Sequence, residues 1–259
     1  MERRNSGNPL YPAGAAGYHG GMEVKQFRFN HPEIGTVFAY LLFDPVSGEA
    51  AAVDGGAVEE MTRFLKEKKL TLKIITNTHR HTDHTGGDEA LRAAAGGTYQ
   101  GPEELAASKS FTLGDETVEV ISTPGHSEDS VVFRAGEVLI TGDTLFTGTV
   151  GNCYTRDYEA YFASLKRVTA LPGTCRIYPG HDLREYAVGA ARKLDPSNPH
   201  LEGYLAKGDP GNEYSLLEEE RKVNPFIRWN DPALEPARRS TGRPRDTEFQ
   251  RWRALMDLH

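Results

Sequence analysis

The stretch that decides the fold is "TNTHRHTDHTGG", residues 76–87, which follows the short apolar run "LKII". Three of the nine histidines of this 259-residue chain, His79, His81 and His84, lie here together with Asp83. Imidazole and carboxylate groups are the usual ligands of zinc and similar divalent ions. Because a lone histidine is more often a surface or hydrogen-bonded group, a metal site requires further ligands elsewhere in the chain.

The rest of the chain supplies such ligands, each next to a glycine and after an apolar run. "STPGHSEDS" contains His126, "LITGDTLF" contains Asp143 and "IYPGHD" contains His181. In an α/β fold, the loops that follow the strands gather in one crevice, where the backbone can approach a ligand closely. These three side chains are therefore expected to meet the histidine cluster.

Seven candidate ligands are enough for two metal ions that share a carboxylate. We group them as His79, His81 and His126 for one ion, Asp83, His84 and His181 for the other, and Asp143 between them. Two ions about 3.5–4 Å apart activate water as a nucleophile, so the pattern predicts metal-assisted hydrolysis. The remaining histidines are interpreted as structural or surface residues: His19, His31, His200 and His259.

Composition and length limit the other possibilities. The 38% hydrophobic and 26% charged content is ordinary for a globular protein, and no apolar run reaches the ~18 residues of a membrane span. The net charge of −7 argues against a nucleic-acid surface. Two cysteines, Cys153 and Cys175, are too few for a disulfide framework, so the sequence favours a reducing, cytoplasmic location. Oligomeric state is left open.

Hydrophobic periodicity predicts an α/β fold in which strands and helices are interleaved. Strands are expected at 24–29, 35–43, 49–53, 71–78, 117–122, 130–134, 137–141 and 175–181, and helices at 57–70, 87–97 and 157–171. A Pro/Gly/Ala-rich stretch predicts a disordered tail at residues 1–21. The main domain is then 22–181, and 182–259 is a helical C-terminal segment that completes the substrate site.

The ligand pattern as a whole resembles the metallo-β-lactamase superfamily. "THRHTDH" followed by Gly-His126, Gly-Asp143 and Gly-His181 matches the superfamily in residue type and order. The resemblance implies an αββα sandwich with a dinuclear site between its two sheets and a C-terminal helical appendage. It also implies that Asp143 bridges the metals and that Asp83 orients the attacking hydroxide. Asp54 would contact the metal ligands without binding metal itself. Taken alone, Asp54 is equally a candidate helix N-cap.

Within the superfamily, the chain is most similar to the hydroxyacylglutathione hydrolases, or glyoxalase II enzymes. "NPFIR" is similar to their C-terminal signature, which implies that Arg228 binds substrate carboxylates, in agreement with nine Lys/Arg against five Asp/Glu in 221–259. The family's Gly-Cys-Gly stretch is replaced by "TGTVGNCY", and its tyrosine after the last histidine by Leu183. Tyr154 and Arg156 are the candidate replacement contacts. The expected substrate is a small anionic thioester such as a glutathione conjugate.

Two other functions remain open at this stage. "LPGTCRIYPGHD" is similar to a run in the persulfide dioxygenases, which bind a single iron, although their Gly-Arg-Thr-Asp-Phe-Gln stretch is absent. The non-enzymatic alternative is a binding protein that is stabilised by metal and has no catalytic activity. A structural zinc site, however, is closed by four protein ligands, whereas this chain offers seven. The predicted cofactors are two divalent ions, with zinc favoured over iron or manganese.

Overall fold

The computed structural model describes residues 21–259, which form two β-sheets flanked by helices. The strands are β1 Glu23–His31, β2 Gly35–Phe43, β3 Glu49–Val53, β4 Thr71–Thr76, β5 Thr98–Tyr99, β6 Ser110–Leu113, β7 Glu116–Ser122, β8 Val131–Ala135, β9 Val138–Gly142, β10 Arg176–Pro179 and β11 Ser215–Leu216. The helices are α1 Val58–Lys68, α2 Thr82–Thr85, α3 Asp88–Ala95, α4 Pro102–Ser108, α5 Tyr158–Thr169, α6 Arg184–Leu194, α7 Leu201–Leu205, α8 Leu217–Val223, α9 Glu235–Ser240 and α10 Glu248–Met256. The expectation of a disordered tail falls, apart from Gly21, outside the described residues.

The two sheets have the strand orders β1-β2-β3-β4-β5 and β11-β10-β9-β8-β7-β6. The interior strand β2, "GTVFAYLLF", is an apolar run and not an alternating pattern, and its residues from Val37 to Phe43 are all buried. A strand that is covered on both faces requires apolar side chains at successive positions. The run therefore indicates a sheet between two packed layers.

Three apolar cores give the order of the layers. Phe38, Tyr40 and Leu42 point from β2 into a core shared with Phe133 and Ile140 of the second sheet. The alternate β2 residues pack instead with α1 and α3, and the outer face of the second sheet packs with α5. The order of layers is thus helix, sheet, sheet, helix, and the αββα sandwich is confirmed.

The C-terminal segment is less separate than the sequence indicated. Its residues Ser215–Leu216 form β11, which pairs with β10 and extends the second sheet, so the segment is not wholly helical. Trp229 and Trp252 lie in the same core as Phe162 of α5. The segment is therefore part of the outer helical layer. Within residues 21–259, no helix is long and apolar enough to cross a membrane.

Candidate metal centre

The first group of expected ligands lies where β4 and β7 end. His79 and His81 follow β4, and His126 follows β7. His79 Nε2 lies 2.9 Å from His81 Nδ1, and His126 Nε2 lies 3.1 Å from the same atom. Three ring nitrogens thus converge on one point at the edge of the sandwich.

The second group forms because the chain turns immediately after β4. The short helix α2 carries Asp83 and His84 away from the strand axis, towards His181 at the end of β10. His84 Nε2 lies 3.3 Å from His181 Nε2, which in turn lies 3.3 Å from Asp83 Oδ2. The grouping expected from the sequence is the grouping that the ligand atoms adopt in space.

Asp143 lies between the two groups. Its Oδ1 is 3.4 Å from His84 Nε2, and its Oδ2 is 3.5 Å from His126 Nε2 and 3.3 Å from His181 Nε2. The Oδ1 atom is buried and has no hydrogen-bond partner. An unpaired buried carboxylate oxygen is costly, so its presence here indicates that something other than a protein donor satisfies it.

Gly180 permits this close approach. A Cβ atom at position 180 would lie 2.1 Å from Asp143 Oδ1 and 2.9 Å from the His84 ring. The Gly180 backbone instead accepts a hydrogen bond from Phe38 N–H and donates one to Gly142 O. Any side chain here would displace Asp143 from the centre.

The outer nitrogens of four rings have oxygen partners. The contacts are His79 Nδ1 to Thr78 Oγ1 (3.1 Å), His84 Nδ1 to Asp54 Oδ2 (3.0 Å), His126 Nδ1 to Asn152 O (3.0 Å) and His181 Nδ1 to Thr36 O (3.2 Å). Such outer partners fix the orientation and the tautomer of a metal-binding imidazole. Of these partners, sequence reasoning identified only Asp54. A backbone carbonyl, as at Thr36 and Asn152, carries no residue-specific signal.

The N-cap interpretation of Asp54 is wrong. The N-cap of α1 is Ala57, which has no capping side chain. The Asp54 carboxylate instead accepts hydrogen bonds from the backbone N–H and hydroxyl of Thr78, at 2.8 and 2.9 Å, and contacts His84. Its position matches the supporting role that the superfamily resemblance implied.

Electrostatics prepare the first group to act as neutral ligands. Burial lowers the pKa of His79 well below its usual value and also lowers the pKa of His126. A metal ion requires an unprotonated ring nitrogen. Both rings are therefore available to a cation at neutral pH without first losing a proton.

The second group holds protons when no metal is bound. Burial disfavours charge on His84, but the Asp54 and Asp143 carboxylates outweigh it and raise the pKa well above its usual value. Hydrogen bonds to Asp143 and Asp83 likewise overcome burial and raise the pKa of His181 to about 9. Burial opposes ionisation of Asp83, yet its histidine partners lower the pKa to about 2. A positive ion in this position would replace those protons.

These residues fit two divalent ions. Ring nitrogens 2.9–3.3 Å apart point at shared positions, and the buried Asp143 Oδ1 lacks a donor. The His and Asp donor set suits zinc, iron and manganese alike. Among the described residues, the possible ligand groups are His79–His81–His126, His79–His84–Asp143 and Asp83–His84–His181, each with ligand atoms within 4.8 Å of one another.

A cavity of about 270 Å³ opens beside the centre. It is lined by three of the ligands and by apolar side chains from separate loops: Ile34, Phe146, Tyr154 and Leu183. Tyr154 is 64% exposed, and the edge of its ring packs on His81 and His126 with ring centroids 5.7 and 5.2 Å apart. Of the three residues expected to contact substrate, Tyr154 is the one that reaches this cavity.

The structure does not support the expectation for Arg228. Its guanidinium donates to Asp195 at 2.9 Å and to Asp231 at 2.7 Å, and its side chain is only 9% exposed. Arg228 does not line this cavity, and its guanidinium is paired with two carboxylates. Arg156 is exposed, has a φ of 61° and also lies outside that lining, although only one residue separates it from Tyr154.

Comparison with known proteins agrees with this geometry. The metallo-β-lactamase superfamily model matches residues 99–181. Among solved structures, ETHE1 from Myxococcus xanthus has a TM-score of 0.58 at 22% identity and covers 90% of this chain and 89% of its own. A similarity at this level of identity shows the fold.

Curated relatives define the family more closely. Hydroxyacylglutathione hydrolase from Brucella anthropi is 30% identical over 256 residues, covering 92% of this chain and 97% of its own. Hydroxyacylglutathione hydrolase from Mesorhizobium japonicum is 32% identical over 235 residues, covering 82% of this chain and 89% of its own. The chain therefore belongs to the metallo-β-lactamase superfamily, within its hydroxyacylglutathione hydrolase (glyoxalase II) family of metal-dependent thioester hydrolases.

Proposed function

We propose that this protein hydrolyses the thioester bond of an S-hydroxyacylglutathione, using two divalent ions, zinc being the favoured metal. The observation that carries the proposal is the convergence of the seven His and Asp side chains at one edge of the sandwich, beside a cavity. The relatives from Brucella anthropi and Mesorhizobium japonicum are hydroxyacylglutathione hydrolases, which supports glutathione as the thiol.

The two metal positions follow from the ligand geometry. His79, His81 and His126 would hold one ion, Asp83, His84 and His181 the other, and Asp143 would reach both. When bound, such a pair lowers the pKa of a coordinated water from 15.7 to about 7 and polarises the substrate carbonyl. With Asp143 shared, each ion would have four protein ligands, and an ion that accepts five or six ligands would keep positions for water and substrate.

Asp83 is the proposed catalytic carboxylate of the chain. Its pKa of about 2 keeps it charged at neutral pH, despite partial burial, because it faces His84 and His181. A charged carboxylate at this place accepts a hydrogen bond from the attacking water and aligns it with the acyl carbon. The C–O bond forms first, giving a tetrahedral intermediate. Its collapse breaks the C–S bond, and the proton from the attacking water ends on the departing thiolate, giving a hydroxy acid and the free thiol.

The apolar residues around the cavity give the thioester a partly dry environment. Ile34 and Tyr154 line the cavity from two different loops, together with Phe146 and Leu183. Excluding water strengthens the electrostatic interactions that act on the carbonyl. Arg28 donates to the wall residue Asp182 at 2.7 Å and so offsets the charge of a carboxylate beside the cavity.

The test is hydrolysis of S-D-lactoylglutathione by purified protein, with bound metals quantified in the same sample. The lactoyl thioester of N-acetylcysteamine is the matched control because it carries the same acyl group without the glutathione carboxylates. We expect about two metals per chain and a higher kcat/KM for the glutathione substrate. Equal kcat/KM values for the two substrates would leave the thioesterase activity in place but would show that glutathione is not specifically recognised. One iron per chain, with oxygen consumed on a persulfide substrate, would replace the proposal with a persulfide dioxygenase.

A further inference from the structure

We propose that Glu220 is a positioning residue, which orients the metal ligand His126 through the loop of residues 144–152. This inference rests on the dinuclear site of the proposed function and adds a separate support for each half of that site. The C-terminal segment supports His126 of the His79–His81–His126 half, whereas residues of the N-terminal half of the chain support the Asp83–His84–His181 half and, through Thr78, also His79.

Glu220 binds the loop to α8. Its side chain is fully buried, and its carboxylate accepts hydrogen bonds from four donors. The donors are Gly148 N–H (2.9 Å), Asn224 Nδ2 (3.1 Å), Ser215 Oγ (2.6 Å) and Tyr204 OH. Three donors lie in the C-terminal segment and one lies in the loop. A buried carboxylate satisfied in this way is costly to disturb, so it fixes the loop on α8.

Two further side chains hold the same loop. Asn224 Nδ2 donates to Thr149 O at 3.0 Å, next to the Gly148–Glu220 contact. His259 Nε2 lies 2.7 Å from Val150 O at the surface. Three successive loop residues are thus each bound by the C-terminal segment.

The loop in turn holds His126. Asn152 O is 3.0 Å from His126 Nδ1, which places the proton on Nδ1 and leaves Nε2 free to face His81. Gly151 lets the loop lie against the centre, because a Cβ atom there would be 2.0 Å from Asp143 O and 2.9 Å from His126 Nδ1. A loop released from Glu220 would therefore lose the contact that sets the ring tautomer.

The other half of the centre has different supports. Asp54 and the amide of Asn77 hold His84, the latter donating to His84 O at 3.0 Å. Asn77 is itself held by Tyr99 OH, at 3.0 Å from its Oδ1, and His181 contacts Thr36 O. All of these partners precede residue 100. Changes at Glu220 and at Tyr99 are consequently expected to affect different metal positions.

The experiment is stepwise titration of Co²⁺ into metal-free full-length protein, with chelator competition for the affinities and visible absorption for the ligand environment. Glu220→Ala should weaken one Co²⁺ by about 10–100-fold, the usual effect of losing an outer partner of a ligand. The other Co²⁺ should stay within about threefold. The spectrum of the retained Co²⁺ should match that of His126→Ala. Tyr99→Phe should weaken the opposite Co²⁺ instead.

Two variants separate positioning from misfolding. Glu220→Gln can still accept from Gly148 and Asn224 while donating to the Ser215 and Tyr204 hydroxyls, so it should restore both affinities. His259→Ala changes an exposed side chain and should weaken the same Co²⁺ as Glu220→Ala by a smaller factor. Equal loss of both ions in Glu220→Ala, no loss in either, or a Glu220→Gln variant as weak as alanine would overturn the proposal.

The same titration separates this inference from the proposed function. A wild-type chain that binds only one Co²⁺ would overturn the dinuclear site and the two-support account together. A wild-type chain that binds two Co²⁺ but leaves S-D-lactoylglutathione intact would overturn the substrate only, since the affinities are measured without substrate.

Discussion

Oδ2 of Asp54 lies 3.0 Å from Nδ1 of His84, and both side chains are fully buried. Oδ1 of the same carboxylate accepts from the backbone N–H of Thr78 at 2.8 Å, which fixes its rotation. Asp54 has a φ of 56°, a conformation that Gly, Asn and Asp adopt more readily than other residues. The carboxylate therefore holds the His84 proton on Nδ1 and leaves Nε2 directed at the centre.

Replacing Asp54 with asparagine should weaken metal binding about 10–100-fold without unfolding the chain. Asparagine keeps the size and the tolerance for positive φ, but its amide NH₂ must face His84 Nδ1 because the remaining oxygen is needed by Thr78. The ring then favours the tautomer with its proton on Nε2, which cannot bind metal. Chelator competition measures the affinity, and thermal unfolding of the metal-free variant is the control. Unchanged affinity in a folded variant would contradict the tautomer argument.

Replacing Tyr154 with alanine should raise KM for the glutathione thioester about tenfold, with kcat and metal content unchanged. The ring lines the cavity and touches no reacting atom, so its loss removes binding common to substrate and transition state. Tyr154→Phe keeps the ring and should stay close to wild type. If kcat and the amount of bound metal both fell, the ring would instead be shown to support His81 and His126.

Replacing Arg228 with alanine should destabilise the protein by about 3–5 kcal/mol, because it leaves the buried Asp195 without its partner. The free energy of unfolding in urea measures this effect. Asp231→Ala is the matched variant, with a smaller expected loss because Asp231 is more exposed than Asp195. A raised KM at unchanged stability would restore the substrate-binding role that the family resemblance implied.

Replacing Asp88 with asparagine should flatten the dependence of stability on pH between about 4 and 7. Burial raises the pKa of Asp88 from 3.8 to about 7, although Asn77 donates to its carboxylate. The folded state therefore holds this proton more tightly than the unfolded state. Its stabilisation is complete below about pH 4 and is lost as the pH rises through about 7.

Melting temperatures measured in chelator across this range check the Asp88 prediction, since metal loading then cannot contribute. Asparagine is isosteric and still accepts from Asn77, so packing is preserved. A parallel decline of the wild type and of Asp88→Asn with rising pH would mean that other groups cause the dependence.

The αββα layers were implied by the superfamily resemblance, whereas the interleaved strands and helices and the meeting of the ligands were predictable for a physical reason. Apolar strands such as β2 show which layers are buried, and polar residues such as His126 and His181 stand where those strands end. A long-range ion pair has no such pattern. Arg228 and Asp195 lie 33 residues apart, and nothing local distinguishes a cation that binds substrate from one that binds a distant carboxylate. The short strand β11 was missed for a similar reason, because two residues show no periodicity.

The seven ligand side chains come from both sheets of the sandwich. His79, His81, Asp83 and His84 follow β4 of the first sheet, whereas His126, Asp143 and His181 follow strands of the second. Bound metal would thus also link the two sheets of the sandwich to each other. Each tenfold rise in free metal above the dissociation constant should add about 1.4 kcal/mol to the free energy of unfolding. Metal supply would then govern how long the protein survives in a cell, and not only how fast it works.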